Sequence, residues 1–227
     1  MKKIKNIVFL PLILILASFS KRADKLNTAT KSIVKKTVQV SEQLNIIDPI
    51  VLAYALEGVK NIEDSLRVNF KYIAIVDFSK PSTEQRFFLL DLTDTSVVCT
   101  DYVCHGKYSG ENYATSFSNQ IESNKSSLGF YRLSEMYMGA HGLSIRMDGL
   151  DNGFNNNARK RAIVMHTADY ANESVIKELG RFGRSLGCPT LPEKTFNQFA
   201  SQLSNNAIIF HYYPDKNYLD SSVWLHK

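Results

Sequence analysis

A chain of 227 residues with 44% hydrophobic and 22% charged side chains, including eleven Tyr and thirteen Phe, can build one globular core but is too short for two full catalytic domains. Its formal charge of +5 includes Lys2, Lys3 and Lys5 of a leader-like start; without them the balance is 5 − 3 = +2. No run or stripe of Lys and Arg remains to form a nucleic-acid or polybasic membrane surface.

Lys2, Lys3 and Lys5 precede an apolar run over residues 7–16, and the small residues Ala17, Ser18 and Ser20 follow. Residues 1–20 therefore read as a secretory signal peptide, cleaved near Ser20. The apolar run is broken by Pro11 and falls short of the roughly 20 residues that span a bilayer, so no stable membrane span is expected after cleavage; an uncleaved anchor is the alternative. No cysteine follows the run, so a lipid-modified N-terminus is not indicated. Residues 21–47 form a polar lead-in. Asp48-Pro49 then opens a helix, because Asp caps free backbone N–H groups and Pro is tolerated at the first helical position. Leu52, Leu56 and Val59 supply its apolar stripe, and Gly58 marks its end. Lead-in and helix make a segment 21–68 ahead of a domain over 69–227.

From Lys71 the texture changes to strands. Residues 72–78, 85–92 and 95–105 are rich in β-branched and aromatic side chains, with polar breaks at 79–82 and 93–94, which predicts a β-meander. Cys99 and Cys104 fall in the third of these strands, facing opposite sides and too far apart to bridge, and both read as small buried apolar side chains. Three cysteines is an odd number, so at least one thiol stays free in an oxidising compartment unless chains pair. Residues 106–157 are loop-rich in Gly, Ser and Asn, with short apolar pieces at 129–131 and 143–147; functional surfaces on β scaffolds occupy such loops. Residues 162–165 predict a short buried strand that delivers His166 at its end. Beyond Cys188-Pro189, Thr190 and Glu193 fit a capping box. Phe196, Phe199, Ala200 and Leu203 then repeat at helical spacing, and 207–213 return as a last strand. The fold class is mainly β with accessory helices.

The chemistry concentrates in His166 and in the run Gly180-Arg181-Phe182-Gly183-Arg184-Ser185-Leu186-Gly187-Cys188-Pro189-Thr190. Glycines let backbone amides approach a substrate oxygen, and free amides at a helix start favour a thiolate. Arg181 and Arg184 are expected to push the Cys188 thiol pKa down in the same way. A cysteine nucleophile needs a base, and imidazole titrates in the useful range. A lone histidine is more often a core residue than a base; its pairing with Ser185-x-Gly187-Cys188 favours His166 as the base.

A histidine followed downstream by Ser/Thr-x-Gly-Cys resembles the active-site signature of the YkuD-type L,D-transpeptidases. The wider context is similar to the murein L,D-transpeptidase catalytic domain branch. It is carried by His105-Gly106-Lys107-x-Ser109-Gly110, Phe117-Ser118-Asn119, Ser126-Ser127-Leu128-Gly129-Phe130-Tyr131, His141-Gly142-Leu143-Ser144 and Asp148-Gly149-Leu150, and the resemblance runs over residues 45–213. It implies a YkuD-like β-sandwich, Cys188 as nucleophile, His166 as base, Ser185 as a positioning group, and Gly187 with Cys188 as oxyanion donors. It also implies peptidoglycan stem peptides as substrate, a thioester intermediate, no cofactor and no metal, and a place in the periplasm or cell envelope. Leu186 and the pair Pro189-Thr190 depart from the better-known pattern. No arginine follows the cysteine, so Arg184 stands as the carboxylate clamp, with Asn119, Tyr131 and His141 as further substrate-groove residues.

Four other readings compete. His105 and His141 could join Asp148 and Asp151 as metal ligands, but no His-Glu-x-x-His, Cys-x-x-Cys or calcium-loop spacing occurs. A papain-like peptidase uses the same pair but places Cys before His, whereas only His211 and His226 follow Cys188. A stem-trimming L,D-carboxypeptidase or a non-catalytic wall-binding module would keep the same fold. The sequence carries no signal of oligomeric state.

Overall fold

The structure is a computed structural model in which residues 46–140, 142–204 and 207–226 are described. The signal-peptide and lead-in readings lie outside those residues. The chain divides into two units, Met1–Tyr54 and Ala55–Lys227. In the first, residues 46–54 carry the start of helix α1 (Pro49–Leu66). The Asp48 carboxylate accepts from the Ile50 N–H at 2.7 Å, the expected cap.

The helix does not end at Gly58; it continues eight residues further, to Leu66. Within the second unit the reason is packing. A Cβ at residue 58 would lie 2.0 Å from the Phe130 ring, so glycine serves close approach here, at the cost of helix propensity. Asn61 ties the same stretch to the C-terminus by donating to the Trp224 carbonyl at 2.7 Å.

The strands of the second unit are β1 (Tyr72–Asp77), β2 (Phe87–Asp91), β3 (Ser96–Asp101), β4 (His105–Gly106), β5 (Gly129–Gly139), β6 (Gly142–Gly149), β7 (Val164–Thr167), β8 (Arg184–Ser185), β9 (Thr190–Leu191) and β10 (Ala207–Tyr212). Eight of them form one sheet in the order β3-β2-β1-β10-β5-β6-β7-β9, and β4 pairs with β8 alone. Helices α2 (Ser174–Leu179), α3 (Glu193–Leu203) and α4 (Lys216–Ser221) complete the unit, so the fold is mainly β with accessory helices. Among the described residues no helix is long and apolar enough to cross a membrane.

The expected meander is present as β1, β2 and β3 in antiparallel register. Its third strand is shorter than 95–105, because the chain leaves the sheet after Asp101. Tyr102 N–H turns back to the Asp101 carboxylate at 2.7 Å, and the Val103 carbonyl is held at 2.9 Å by the wholly buried Arg86 guanidinium. Cys104 then packs against Ala171 and Phe182 instead of a sheet neighbour. Phe130 of β5 stacks on Phe210 of β10 with ring centroids 4.3 Å apart, which fixes the centre of the large sheet under α1.

Candidate active site

Strand β7 is the scaffold of the site. Ile163, Val164 and Met165 are buried, as a β-branched and apolar run at a sheet position requires. His166 lies inside this strand, between Ser144 of β6 and Thr190 of β9. The imidazole is 4% exposed. Its Nδ1 is 2.8 Å from the Thr167 carbonyl, which can only accept; the neutral ring therefore carries its proton on Nδ1 and its lone pair on Nε2. Thr190 Oγ1 stands 3.2 Å from that Nε2 and 3.4 Å from the Cys188 carbonyl.

Residues 184–190 form the loop that carries the thiol, and segment 104–107 clamps both of its ends. Cys104 N–H donates to the Thr190 carbonyl at 2.9 Å, β4 runs parallel to β8 with His105 opposite Arg184, and Lys107 N–H donates to the Ser185 carbonyl at 2.8 Å. Inside the loop, Ser185 Oγ donates to the Cys188 carbonyl at 2.6 Å and accepts from Gly187 N–H at 3.0 Å. Gly187 has φ +123°, a region that favours glycine, and a Cβ there would meet the Lys125 carbonyl at 2.9 Å. Leu186 points outward, 61% exposed.

Cys188 Sγ accepts from Val164 N–H at 3.5 Å and donates to the Ala162 carbonyl at 3.9 Å, Ala162 itself having φ +52°. The thiol loop and the imidazole thus meet at one pair of adjacent strands: Val164, which bonds the thiol, and His166 lie on β7, and Thr190, two residues after the cysteine, lies on β9. Burial pushes the Cys188 thiol pKa up, against the opposing pull of Val164 N–H and the Arg161 charge. This corrects the expected depression, whose two sources are absent. Arg181 and Arg184 are engaged with Glu111, at 3.1 and 2.7 Å. Helix α3 begins only at Glu193, capped by Pro192 without a side-chain bond, so Thr190 is a strand residue beside His166 and not a cap.

The remaining expected residues disperse. Arg184 also donates to the Lys107 and Gly110 carbonyls, at 3.2 and 3.1 Å, so it already holds a carboxylate of its own chain. Asn119 staples two loops together, accepting from Asn157 N–H at 3.0 Å and donating to Asn156 Oδ1 at 2.8 Å. Tyr131 is wholly buried with its hydroxyl on the Ser127 carbonyl at 3.0 Å, so it presents no surface to a peptide. His141 lies outside the described residues.

The alternative ligand set is also committed elsewhere. His105 Nδ1 sits 2.7 Å from Arg86 Nη2, a group that can only donate, so its lone pair is spent; burial and that neighbour take its pKa down to about 3. Asp151 accepts from Phe130 N–H at 2.7 Å and Ser222 Oγ at 2.5 Å, and Asp148 from Ser134 and Arg159. Among the described residues no three His, Cys, Asp or Glu side chains gather as a metal site.

Two side chains that the sequence reading passed over belong here, Arg161 and the Thr190 hydroxyl. Arg161 opens the run Arg-Ala-Ile-Val-Met-His, and the basic triplet Arg159-Lys160-Arg161 at the mouth of a buried strand was the available signal. Past His166, Thr167, Ala168, Asp169 and Glu193 line both a hollow of about 360 Å³ and an adjoining one of about 470 Å³; Cys188 lines neither.

The fold is that of a β-sheet protein in which the loop carrying Cys188 leads into β9, the strand paired with β7 and its His166. The chain belongs to the L,D-transpeptidase catalytic domain family, an enzyme family whose model matches residues 43–212. No curated protein matches it in sequence. Solved structures similar to it include an L,D-transpeptidase from Mycobacterium smegmatis at 12% identity and TM-score 0.41, covering 63% of this chain and 59% of that one. Another is an L,D-transpeptidase from Xylanimonas cellulosilytica at 14% identity and TM-score 0.37, covering 64% and 62%. A third is L,D-transpeptidase 1 from Mycobacterium tuberculosis at 10% identity and TM-score 0.36, covering 63% and 62%. This chain therefore spans about three fifths of the length of each.

Proposed function

We propose that this protein is an exported cysteine acyltransferase that works on peptidoglycan stem peptides in the periplasm or cell envelope. The supporting observation is the pairing of β7 with β9, which sets an imidazole with its lone pair on Nε2 beside the strand that continues the thiol loop. The proposed domain layout is a leader over 1–20, a lead-in and helix over 21–68, and the catalytic domain from 69 onward.

In the proposed reaction the Cys188 sulfur attacks the carbonyl at the L-centre of the stem diamino acid, and its proton passes to His166 Nε2. The C–N bond to the terminal D-alanine breaks, the imidazolium returns the proton to the leaving amine, and a thioester remains. A side-chain amine of a second stem then attacks the thioester and gives up its proton to His166; the C–S bond breaks, and the imidazolium returns that proton to the departing Cys188 sulfur. Water in place of that amine gives carboxypeptidase action. Of the two expected oxyanion donors, Gly187 N–H is engaged by Ser185 Oγ, so Cys188 N–H is the donor in this proposal. One such donor commonly contributes about 3–4 kcal/mol.

Mass spectrometry of the protein with a tetrapeptide donor, with and without an amine acceptor, tests the reading. Cys188→Ala should form no thioester adduct while keeping its fold, and Cys99→Ser should react like the parent. Turnover by Cys188→Ala at the parent rate rejects the proposal.

A further inference from the structure

Arg161 makes contacts that no other cation near the thiol makes. Its Nη1 donates to the Ser118 carbonyl at 2.8 Å and Ser127 Oγ at 2.7 Å; its Nη2 donates to Ser123 Oγ at 3.2 Å and the Lys125 carbonyl at 2.6 Å. All four acceptors come from residues 118–127. That segment holds two non-glycine residues in the left-handed region, Glu122 at φ +60° and Asn124 at φ +51°, a conformation that persists only where surrounding contacts enforce it.

The segment rests directly on the thiol loop and on the strand that clamps it. A Cβ on Gly106 would strike the Asn124 carbonyl at 2.5 Å, and one on Gly187 would meet the Lys125 carbonyl at 2.9 Å and Arg161 Nη2 at 3.2 Å. The guanidinium therefore stands against the residue before the nucleophile. Its charge acts on the thiol and the thiol acts back on it.

We propose that Arg161 is a positioning residue for the nucleophile: it clamps residues 118–127 onto Gly187 and supplies the positive charge that favours the Cys188 thiolate. The proposal rests on Cys188 being the reacting group. The other titratable or charged groups around the thiol loop are His166 and Tyr170 through the Thr190 hydroxyl, Cys104 and His105 on the clamping segment, Glu111 paired with Arg184 of the loop, and Lys125, whose ammonium is bound to Ser116 Oγ at 2.7 Å. Lys125 is thereby turned to its own loop, and in the neutral tautomer that its carbonyl partner selects His166 brings no charge. Arg161 remains as the fixed positive charge.

The test is the pH profile of Cys188 alkylation by iodoacetamide, read together with amide hydrogen exchange over residues 118–127. Arg161→Met should move the alkylation midpoint up by about one pH unit, a roughly tenfold slower reaction at neutral pH, and should speed exchange in the segment. Arg161→Lys keeps the charge but cannot hold four acceptors, so its midpoint should stay near the parent while exchange quickens. Arg161→Gln is a second neutral variant that retains some hydrogen bonding, so the charge is read even if methionine disturbs the fold. A Met or Gln profile superimposed on the parent overturns the proposal, and so does an equal shift in Lys. Alkylation needs no turnover: failure here leaves the acyltransfer reading standing, whereas that reading fails on Cys188→Ala.

Discussion

Ser185→Ala is the sharpest probe of the loop that presents the thiol. The hydroxyl makes two bonds across three residues, to the Cys188 carbonyl at 2.6 Å and from Gly187 N–H at 3.0 Å, and the side chain is 3% exposed. Two neutral hydrogen bonds contribute about 1 kcal/mol each, and leaving the buried Gly187 N–H without an acceptor adds about 1–3 kcal/mol. The loop can relax toward solvent at Leu186, which recovers part of this, so about 2–3 kcal/mol is the working figure for the preference of residues 185–188 for their present shape. Read as lost population of the reactive arrangement, that is about 30- to 150-fold in kcat/KM, at about 1.4 kcal/mol per tenfold. Global stability should fall less, because the loop ends are held independently by segment 104–107. The assay is thioester formation under single-turnover conditions alongside a thermal melt, with Ser185→Thr as the variant that keeps the hydroxyl. Thioester formation by Ser185→Ala within twofold of the parent would refute the reasoning.

Two further predictions concern stability. Burial raises the Asp151 carboxyl pKa from 3.8 to about 6, so the fold favours its protonated form. That contribution is fully present below pH 3.8 and is lost as pH rises through about 6, to the extent of about 3 kcal/mol. The denaturant stability of the parent relative to Asp151→Asn should fall by about that amount between pH 3.5 and pH 7.5, and a flat difference sinks the assignment. Gly58→Ala would gain about 1 kcal/mol of helix propensity but overpack Phe130, which is stacked on Phe210 and has little room to yield. A net loss of about 1–2 kcal/mol by denaturant titration is expected, and a stabilised variant contradicts the close approach.

Regular elements were legible where the signal is local. Enrichment in β-branched and aromatic side chains located β1, β2 and β10 within a residue or two, and Asp48-Pro49 gave the start of α1. The misreadings share one cause, a partner distant in sequence. Gly58 looks like a helix end until Phe130 is brought against it. Residues 95–105 read as one strand because nothing local announces that Arg86 holds the Val103 carbonyl or that Cys104 N–H belongs to Thr190. Thr190 and Glu193 have capping-box spacing, yet the pairing of Thr190 with His166 places it in a strand. At the site, residue type pointed to Cys188 and His166 as the candidates, while the electrostatics did not follow from counting nearby arginines. Arg181 and Arg184 are close in sequence but spent on Glu111; Arg161 is distant and faces the thiol.

The direction of the Cys188 shift bears on how the proposed reaction would run. Burial disfavours the thiolate, so in the proposed reaction the proton leaves as sulfur meets carbonyl. That demands a base whose lone pair is already oriented, and the Thr167 carbonyl provides this by holding the proton of His166 on Nδ1. A less acidic thiol also makes a stronger nucleophile once its proton is gone, because sulfur nucleophilicity rises with thiol pKa. The site therefore has to hold two opposing demands in balance. Burial raises the intrinsic reactivity of the sulfur, while Val164 N–H and Arg161 oppose the rise in pKa that comes with it. On that argument the loop clamps matter as much as the charges, because a displacement of Gly187 from Lys125 would change the burial of the thiol and its distance from Arg161 together.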